Sequence, residues 1–204
     1  MNPSEPAAPD LILASASPRR RELLQRLGVR IEVRPANIDE STLPGESARA
    51  YVERVSSAKC EAIEAAGLAV LAADTTVAID GAILGKPADE AEARAMLTQL
   101  AGRRHEVLTA YSIRHNDRRL ARTVSTQVSM RLIDESEVAA YVACGEWRDK
   151  AGGYAVQGIA AVFVTEVRGS ITNVIGLPIA EVIADLRALK ALPSYPAPGF
   201  GVTP

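Results

Sequence analysis

The residues most able to do chemistry lie close together near the start of the chain. Ser15, Ser17, Arg19 and Arg20 fall within Ser15-Ala16-Ser17-Pro18-Arg19-Arg20, directly after the apolar run Leu11-Ile12-Leu13-Ala14. The apolar run reads as a buried strand, Ser17 as a helix N-cap and Pro18 as the first helical position. A strand, a small-residue loop and a helix start together point free backbone N–H groups at an oxyanion, and the helix dipole adds to the attraction. Arginines in a first helical turn oppose that dipole, and a bound anion relieves the conflict. Two readings follow: a phosphate site, or an ordinary capped helix with exposed arginines.

Asp74 is the second candidate. It interrupts the apolar stretch Leu68-Ala69-Val70-Leu71-Ala72-Ala73, where a carboxylate is costly unless it is paired, metal-bound or wet. The alternative is a capping or turn aspartate. Downstream, Leu84-Gly85-Lys86-Pro87 holds Lys86 on a constrained turn, where it is either solvated or a point charge for a phosphate. Asp149-Lys150-Ala151-Gly152-Gly153-Tyr154-Ala155-Val156-Gln157-Gly158 reads as a backbone-exposed loop, and the Gln157 amide could read a base edge. The stretch from Gly169 to Pro178 reads as a mainly structural loop. His105 and His115 receive no role, because spacing pairs neither with a Ser or Cys nucleophile, and no hydrolase triad is supported. There is no G-x-x-x-x-G-K-[ST] and no G-x-G-x-x-G.

The elements that must position these residues alternate in type. Helices are expected over Pro18–Leu27, from Ser47 to about Ala66, from Asp89 to Leu100, from Asp134 to Ala143 and over Pro178–Leu189. In the second helix Tyr51, Val55, Ala58 and Ala62 fall at helical spacing. Strands are expected at Leu11–Ala14, Val29–Pro35, Ala69–Ile79, Val107–His115, Thr123–Leu132 and Ala160–Val167. Asn37–Gly45 reads as a loop and Gly81–Pro87 as a turn. The fold class expected is α/β: a mixed sheet flanked by helices, in two lobes around a cleft. Seven of the 12 prolines lie in residues 1–10 and 191–204, which read as irregular tails around one domain over residues 11–190.

Composition narrows the class of partner. The 204 residues are 48% hydrophobic and 24% charged, with a formal net charge of −2, and the pI is near 5.8. A duplex-binding protein usually shows a clustered basic surface on a basic domain, so no stable nucleic-acid binding is expected. The pairs Arg103-Arg104 and Arg118-Arg119 read as solvated edges. No stretch approaches the ~18 uninterrupted apolar residues of a membrane span, and the acidic, Pro-rich start lacks the pattern of a signal peptide. The chain is expected in the cytoplasm. Its two cysteines, Cys60 and Cys144, make neither a disulfide framework nor a zinc site with two dispersed histidines. A metal would take oxygen ligands, which favours Mg²⁺ or Mn²⁺.

Leu13-Ala14-Ser15-Ala16-Ser17-Pro18-Arg19-Arg20, Ala73-Asp74-Thr75, Leu84-Gly85-Lys86-Pro87, Asp149-Lys150-Ala151-Gly152 and Gly176-Leu177-Pro178, in this order, resemble the Maf family of nucleotide pyrophosphatases. The resemblance covers residues 11–190. It implies a fold like that of inosine triphosphate pyrophosphatase, with an elongated mixed sheet and a central cleft. It also implies metal-assisted hydrolysis of a nucleoside triphosphate to the monophosphate and pyrophosphate. Asp74 matches the family's water-activating aspartate. Ser15, Ser17, Arg19, Arg20, Lys59 and Lys86 are assigned to the phosphates, and Glu40 with Asp74 to a divalent cation, Mg²⁺ or Mn²⁺. Arg19, Thr75 and Gln157 match the positions that separate the branches, and they resemble the branch that acts on dTTP and UTP, with CTP left open. Ile171-Thr172 departs from the pattern, since many relatives have an aromatic residue there. The alternatives are the same chemistry on 7-methyl-GTP or other modified nucleotides, and a mainly non-catalytic regulator of cell division. A homodimer is left open.

Overall fold

The computed structural model describes residues 8–192. Its strands are β1 (Leu11–Leu13), β2 (Ile31–Val33), β3 (Ala69–Ile79), β4 (Ala82–Leu84), β5 (Arg104–His115), β6 (Arg118–Met130) and β7 (Val164–Arg168). Its helices are α1 (Pro18–Gln25), α2 (Ala48–Glu61), α3 (Glu90–Leu100), α4 (Glu135–Cys144), α5 (Ile171–Ile175) and α6 (Ile179–Ala188). The strands form one mixed sheet in the order β2-β1-β3-β5-β6-β7, with β4 also on β3. The mixed α/β architecture is the one expected.

β3 organises the molecule. Its eleven residues pair with β5 along one side, antiparallel from Val70↔Arg114 to Ala78↔Glu106. On the other side two short strands share the edge. Parallel β1 pairs only as far as Leu13↔Leu71, extended by the Ala14 N–H donating to the Leu71 carbonyl. Antiparallel β4 begins at Val77↔Leu84, returning through Asp80 and Gly81, whose positive φ values of 51° and 80° suit a two-residue hairpin turn. Between Ala73 and Thr76, β3 therefore has no strand beside it. The gap opens where β1 leads into the loop before α1.

Side chains alternate across a strand, so Asp74 and Thr75 face opposite ways. Thr75 shares its face with Leu71 and Ala73 on one side and Val77 and Ile79 on the other. That face carries two separate apolar cores. One gathers Leu11, Leu13, Leu71, Tyr111, Val182 and Leu186; the other gathers Val77, Ile79, Leu97, Leu100, Trp147 and Phe163. The polar stretch at Thr75 lies between them. Asp74 faces α2, whose Val52, Val55 and Cys60 pack on the opposite side of the sheet.

Several expectations need correction. Asp74-Thr75-Thr76 does not interrupt the strand: β3 runs through it, because β5 satisfies the backbone on one side while side chains fill the gap on the other. α2 ends at Glu61 rather than near Ala66, where Ala66 and Gly67 take positive φ to turn the chain into β3. Its buried face is Val52, Val55, Ser56, Lys59 and Cys60, rather than the row Tyr51, Val55, Ala58 and Ala62. A lysine and a serine on the inner face hid that face from a hydrophobic count. The strand expected over Ala160–Val167 is half strand. Glu146 accepts from the Ile159 and Ala160 N–H groups at 2.8 and 3.2 Å, withholding them from any ladder. Ile159–Phe163 is a 3-10 turn, and only Val164–Arg168 pairs. The stretch from Gly169 to Pro178 contains α5, capped by Ser170.

At the ends, Asp10 binds Arg30 through backbone and side chain, and Ala191 and Leu192 pack into the core beside α6. Residues 1–7 and 193–204 of the two expected tails lie outside the described residues. Within them, no helix is long and apolar enough to cross a membrane.

Candidate active site

A cleft of about 450 Å³ opens at the gap in the edge of β3. One wall is the loop and first turn of α1, Ala14 to Arg20. The floor is Asp74, Thr75 and Val77, and the far wall is the loop from Arg148 to Gln157. Val174, Ile175 and Gly176, at the end of α5, close one end. Ser15, Ser17, Arg19, Arg20, Glu40, Lys59, Asp74, Thr75, Lys86 and Gln157 all line this cleft. The residues singled out from the sequence meet in one place.

The α1 wall is built to donate. Ser17 caps the helix, its oxygen accepting from the Arg20 N–H at 3.5 Å. Ser15 Oγ accepts from the Ser17 N–H at 3.2 Å and from Arg20 Nη1 at 3.0 Å. Ser15 Oγ thus spends both of its lone pairs inside the protein and Ser17 Oγ one, and each keeps an O–H to offer. Arg19 is half-buried and reaches across the cleft, Nη2 donating to the Asp149 carbonyl at 3.1 Å. Burial lowers its pKa, with the Asp149 charge pulling the other way.

Arg20 is only 8% exposed. Its Nε donates to the Gly176 carbonyl at 2.8 Å, Nη1 to the Ala73 carbonyl at 2.8 Å, and Nη2 to Thr75 Oγ1 at 3.0 Å. The guanidinium fills the missing strand position beside β3, taking up a carbonyl that no strand reaches. It is thereby tied to three segments of the fold, which leaves it less free for a phosphate than its neighbour Arg19.

On the opposite face of β3, Asp74 is 6% exposed and Lys59 7%. Lys59 Nζ donates to Asp74 Oδ1 at 2.9 Å and to Glu40 Oε2 at 2.7 Å. α2 thus pushes an ammonium between two carboxylates, one buried and one on the exposed loop before the helix. Tyr51 on α2 has its hydroxyl on the Glu40 carbonyl at 3.1 Å. Burial, then the Asp74 and Glu40 charges, push its pKa up to about 12. Lys86 is exposed on the opposing rim and makes no hydrogen bond or ion pair among the described residues, which leaves its ammonium free for a ligand.

Glu40 and Asp74 are chemically suited to a divalent cation. Mg²⁺ keeps several waters and takes one or two carboxylates plus substrate phosphates, so a pair of oxygen donors at a phosphate-sized cleft fits it. Among the described residues no group of three or more His, Cys, Asp or Glu comes together. The donor set matches a cation shared with a ligand rather than one caged by protein.

The sequence reading missed some of the contributors. Thr109 on β5 is fully buried and holds Thr75, Oγ1 to Oγ1, at 2.9 Å. Its signal was a hydroxyl inside Val107-Leu108-Thr109-Ala110-Tyr111, the same kind of interruption that marked Asp74. Gly176 had no such signal, since its part is played through a backbone carbonyl, and Asn173 adds to its own carbonyl a buried side-chain amide that donates to the Val107 carbonyl and Thr126 Oγ1. His105, given no role, is buried with Nε2 at 2.7 Å from the hydroxyl of Tyr154, a cleft residue. Gly152 bridges the far wall to the Lys86 turn, its N–H donating to the Gly85 carbonyl at 2.9 Å.

The profile of a family described as "Maf-like protein" matches residues 10–189. A protein of Anaeromyxobacter dehalogenans (strain 2CP-1) described as dTTP/UTP pyrophosphatase is 52% identical over 184 residues, covering 88% of this chain and 94% of its own. One of Anaeromyxobacter sp. (strain Fw109-5) with the same description is 52% identical over 194 residues, covering 93% and 94%. One of Cereibacter sphaeroides, again so described, is 50% identical over 189 residues, covering 92% and 98%. Among solved structures, the Staphylococcus aureus Ham1 protein aligns with a TM-score of 0.41 at 15% identity, over 59% of this chain and 71% of its own.

Proposed function

The chain belongs to the Maf family, and from that premise we propose that it hydrolyses dTTP and UTP at the α–β phosphoanhydride, releasing the monophosphate and pyrophosphate in the cytoplasm. It is a hydrolase acting on acid anhydrides. The observation that carries this reading is the position of Asp74. A buried carboxylate stands on the floor of a cleft whose wall is the start of α1, with two hydroxyls and Arg19 turned toward the same space.

The charges divide along the cleft. Lys86 and Arg19 meet the phosphate oxygens, and Ser15 and Ser17 donate their free O–H groups to them. Val77, Val107 and Val174 make an apolar wall beyond Thr75 for the base, with Gln157 at its rim. Hydrolysis forms a bond from water oxygen to the α-phosphorus and breaks the bond from that phosphorus to the bridging oxygen. The leaving pyrophosphate carries the electron pair, so catalysis rests on placing cations and a water.

Asp74 accepts a hydrogen bond from the attacking water and takes up its proton. Lys59 holds the carboxylate in one orientation and moves positive charge toward the phosphates as they arrive. Glu40 and Asp74 would hold a divalent cation, which would supply charge neutralisation on the phosphate oxygens and acidity to the water. Glu40 lies exposed on its loop, tied to α2 through Tyr51 and Lys59, whereas Asp74 is buried on β3.

The test is pyrophosphate release by the purified protein with Mg²⁺ across canonical and modified triphosphates, beside Asp74→Asn. Release from dTTP and UTP, lost in the variant and on adding a chelator, is expected. Release from 7-methyl-GTP alone would keep the chemistry and overturn the substrate. Release from no nucleotide, with Mn²⁺ also tried, would overturn the reading.

A further inference from the structure

Lys59 spends two of its three N–H groups on the two carboxylates suited to a divalent cation. Nζ donates to Glu40 Oε2 at 2.7 Å and to Asp74 Oδ1 at 2.9 Å, so one ammonium bridges oxygens from two segments. A cation held by those two oxygens needs the space that the ammonium fills. Asp74 Oδ2 and Glu40 Oε1 accept no hydrogen bond among the described residues, but a cation on them stands beside an ammonium that repels it. Lys59 leaves the buried face of α2 and is 7% exposed, so its ammonium cannot retreat into water.

The charge of the centre points the same way. Arg20 is the next buried cation: burial lowers its pKa, and the Asp74 and Glu40 carboxylates are near enough to oppose that. Two cations and two carboxylates cancel. A divalent ion arriving alone adds two uncompensated positive charges where water is scarce, which is costly. A polyphosphate carries the missing negative charge and offers acceptors to the displaced ammonium. The third Lys59 N–H has no acceptor among the described residues, and Lys59 lines the same cleft as Arg19 and the two serines.

We propose that Lys59 is an interlock: it denies a divalent cation the place between Glu40 and Asp74 until a polyphosphate is in the cleft, so that cation and nucleotide bind as a pair. The proposal deepens the pyrophosphatase reading and rests on it for the kind of anion. Phosphate oxygens draw the ammonium away from the carboxylates, and the carboxylates are then open to the cation. When the polyphosphate is gone, Lys59 returns and the cation loses its place. By linkage, each of the two ligands strengthens the other by the same factor, typically about 5- to 150-fold between coupled sites.

The experiment is Mn²⁺ binding, read by its EPR signal and by calorimetry, to the wild type, Lys59→Met and Lys59→Met/Glu40→Gln. Each is titrated alone and with the α,β-imido analogue of UTP, whose bridging nitrogen resists hydrolysis. The Mn²⁺–nucleotide complex measured without protein is subtracted. Mn²⁺ alone is expected to bind Lys59→Met at least about tenfold more tightly than the wild type, and to raise the melting temperature of that variant but not of the wild type. The added Glu40→Gln removes the gain. The analogue tightens Mn²⁺ binding to the wild type at least about tenfold more than to Lys59→Met. Equal binding of Mn²⁺ alone by the wild type and Lys59→Met overturns the proposal, as does a gain that survives Glu40→Gln. If Lys59→Met fails to fold, the wild type decides: Mn²⁺ bound as tightly alone as with the analogue overturns the interlock, and tightening by the analogue supports it. Tighter Mn²⁺ binding by Lys59→Met, without pyrophosphate release from any nucleotide by the wild type, removes the hydrolysis reading and leaves the interlock. Release from dTTP and UTP with no such gain removes the interlock and leaves the hydrolysis reading.

Discussion

Lys59 and Asp74 meet at 2.9 Å with both side chains all but excluded from solvent, and the same ammonium reaches Glu40 at 2.7 Å. A lysine on the inner face of a helix and a carboxylate in mid-strand are each costly alone. Their meeting removes the conflict, and it turns two unfavourable positions into a charged centre at the cleft floor.

Removing one partner of such a pair leaves a buried charge uncompensated, which costs more than removing both. Lys59→Met is expected to destabilise the protein by roughly 3 kcal/mol in urea denaturation. The double variant Lys59→Met/Asp74→Asn should recover part of that loss. A double variant less stable than Lys59→Met would show that the two side chains are not coupled.

Arg20 is expected to behave as a brace. Arg20→Lys keeps the charge but cannot supply the fork that reaches Gly176, Ala73, Ser15 and Thr75 together. Loss of about 2 kcal/mol in folding stability should accompany any loss of activity. An unchanged melting curve with lowered activity would return Arg20 to the phosphates.

Gly152 has φ near +68°, and a Cβ there would sit 2.9 Å from Val77 Cγ2. Gly152→Ala should therefore strain the loop that carries Gln157 and, through Gly85, the turn that carries Lys86. Expected are a destabilisation of about 1–2 kcal/mol and a rise in KM larger than the fall in kcat. A wild-type KM in this variant would separate the loop from substrate binding.

His105 is buried, and desolvation pulls its pKa from 6.5 down to about 4. The unfolded chain takes up a proton below pH 6.5 that the folded one refuses, so stability is full above that pH and falls as pH drops toward 4. The loss should approach roughly 3 kcal/mol. In His105→Gln, urea denaturation at pH 7 and pH 4.5 should differ less than in the wild type; an equal difference would place the acid sensitivity elsewhere.

Much of the fold was legible because local chemistry decided it. Ser17-Pro18, Asp89 and Asp134 begin helices where they were expected, since each cap satisfies N–H groups within its own few residues. β3 was bounded correctly by its apolar content alone. Asp74 and the first Ser/Arg cluster stood out by being the wrong residue types for their elements. Chains of such misfits are where function accumulates.

What tertiary structure alone decided involves partners distant in sequence. That Lys59 lies between Glu40 and Asp74 depends on α2 crossing β3, and that Arg20 serves as a strand substitute depends on β1 stopping short of β4. The Ala160–Val167 strand failed because a carboxylate from Glu146 captured two backbone donors, a contact no local pattern encodes. The contacts that link Arg20, Thr75, Thr109 and Asn173 needed four segments brought together. Residue types by themselves determined which groups this protein has for charge and proton chemistry; packing determined which of them remain free, because a hydrogen bond made inside the fold is one that a ligand cannot use.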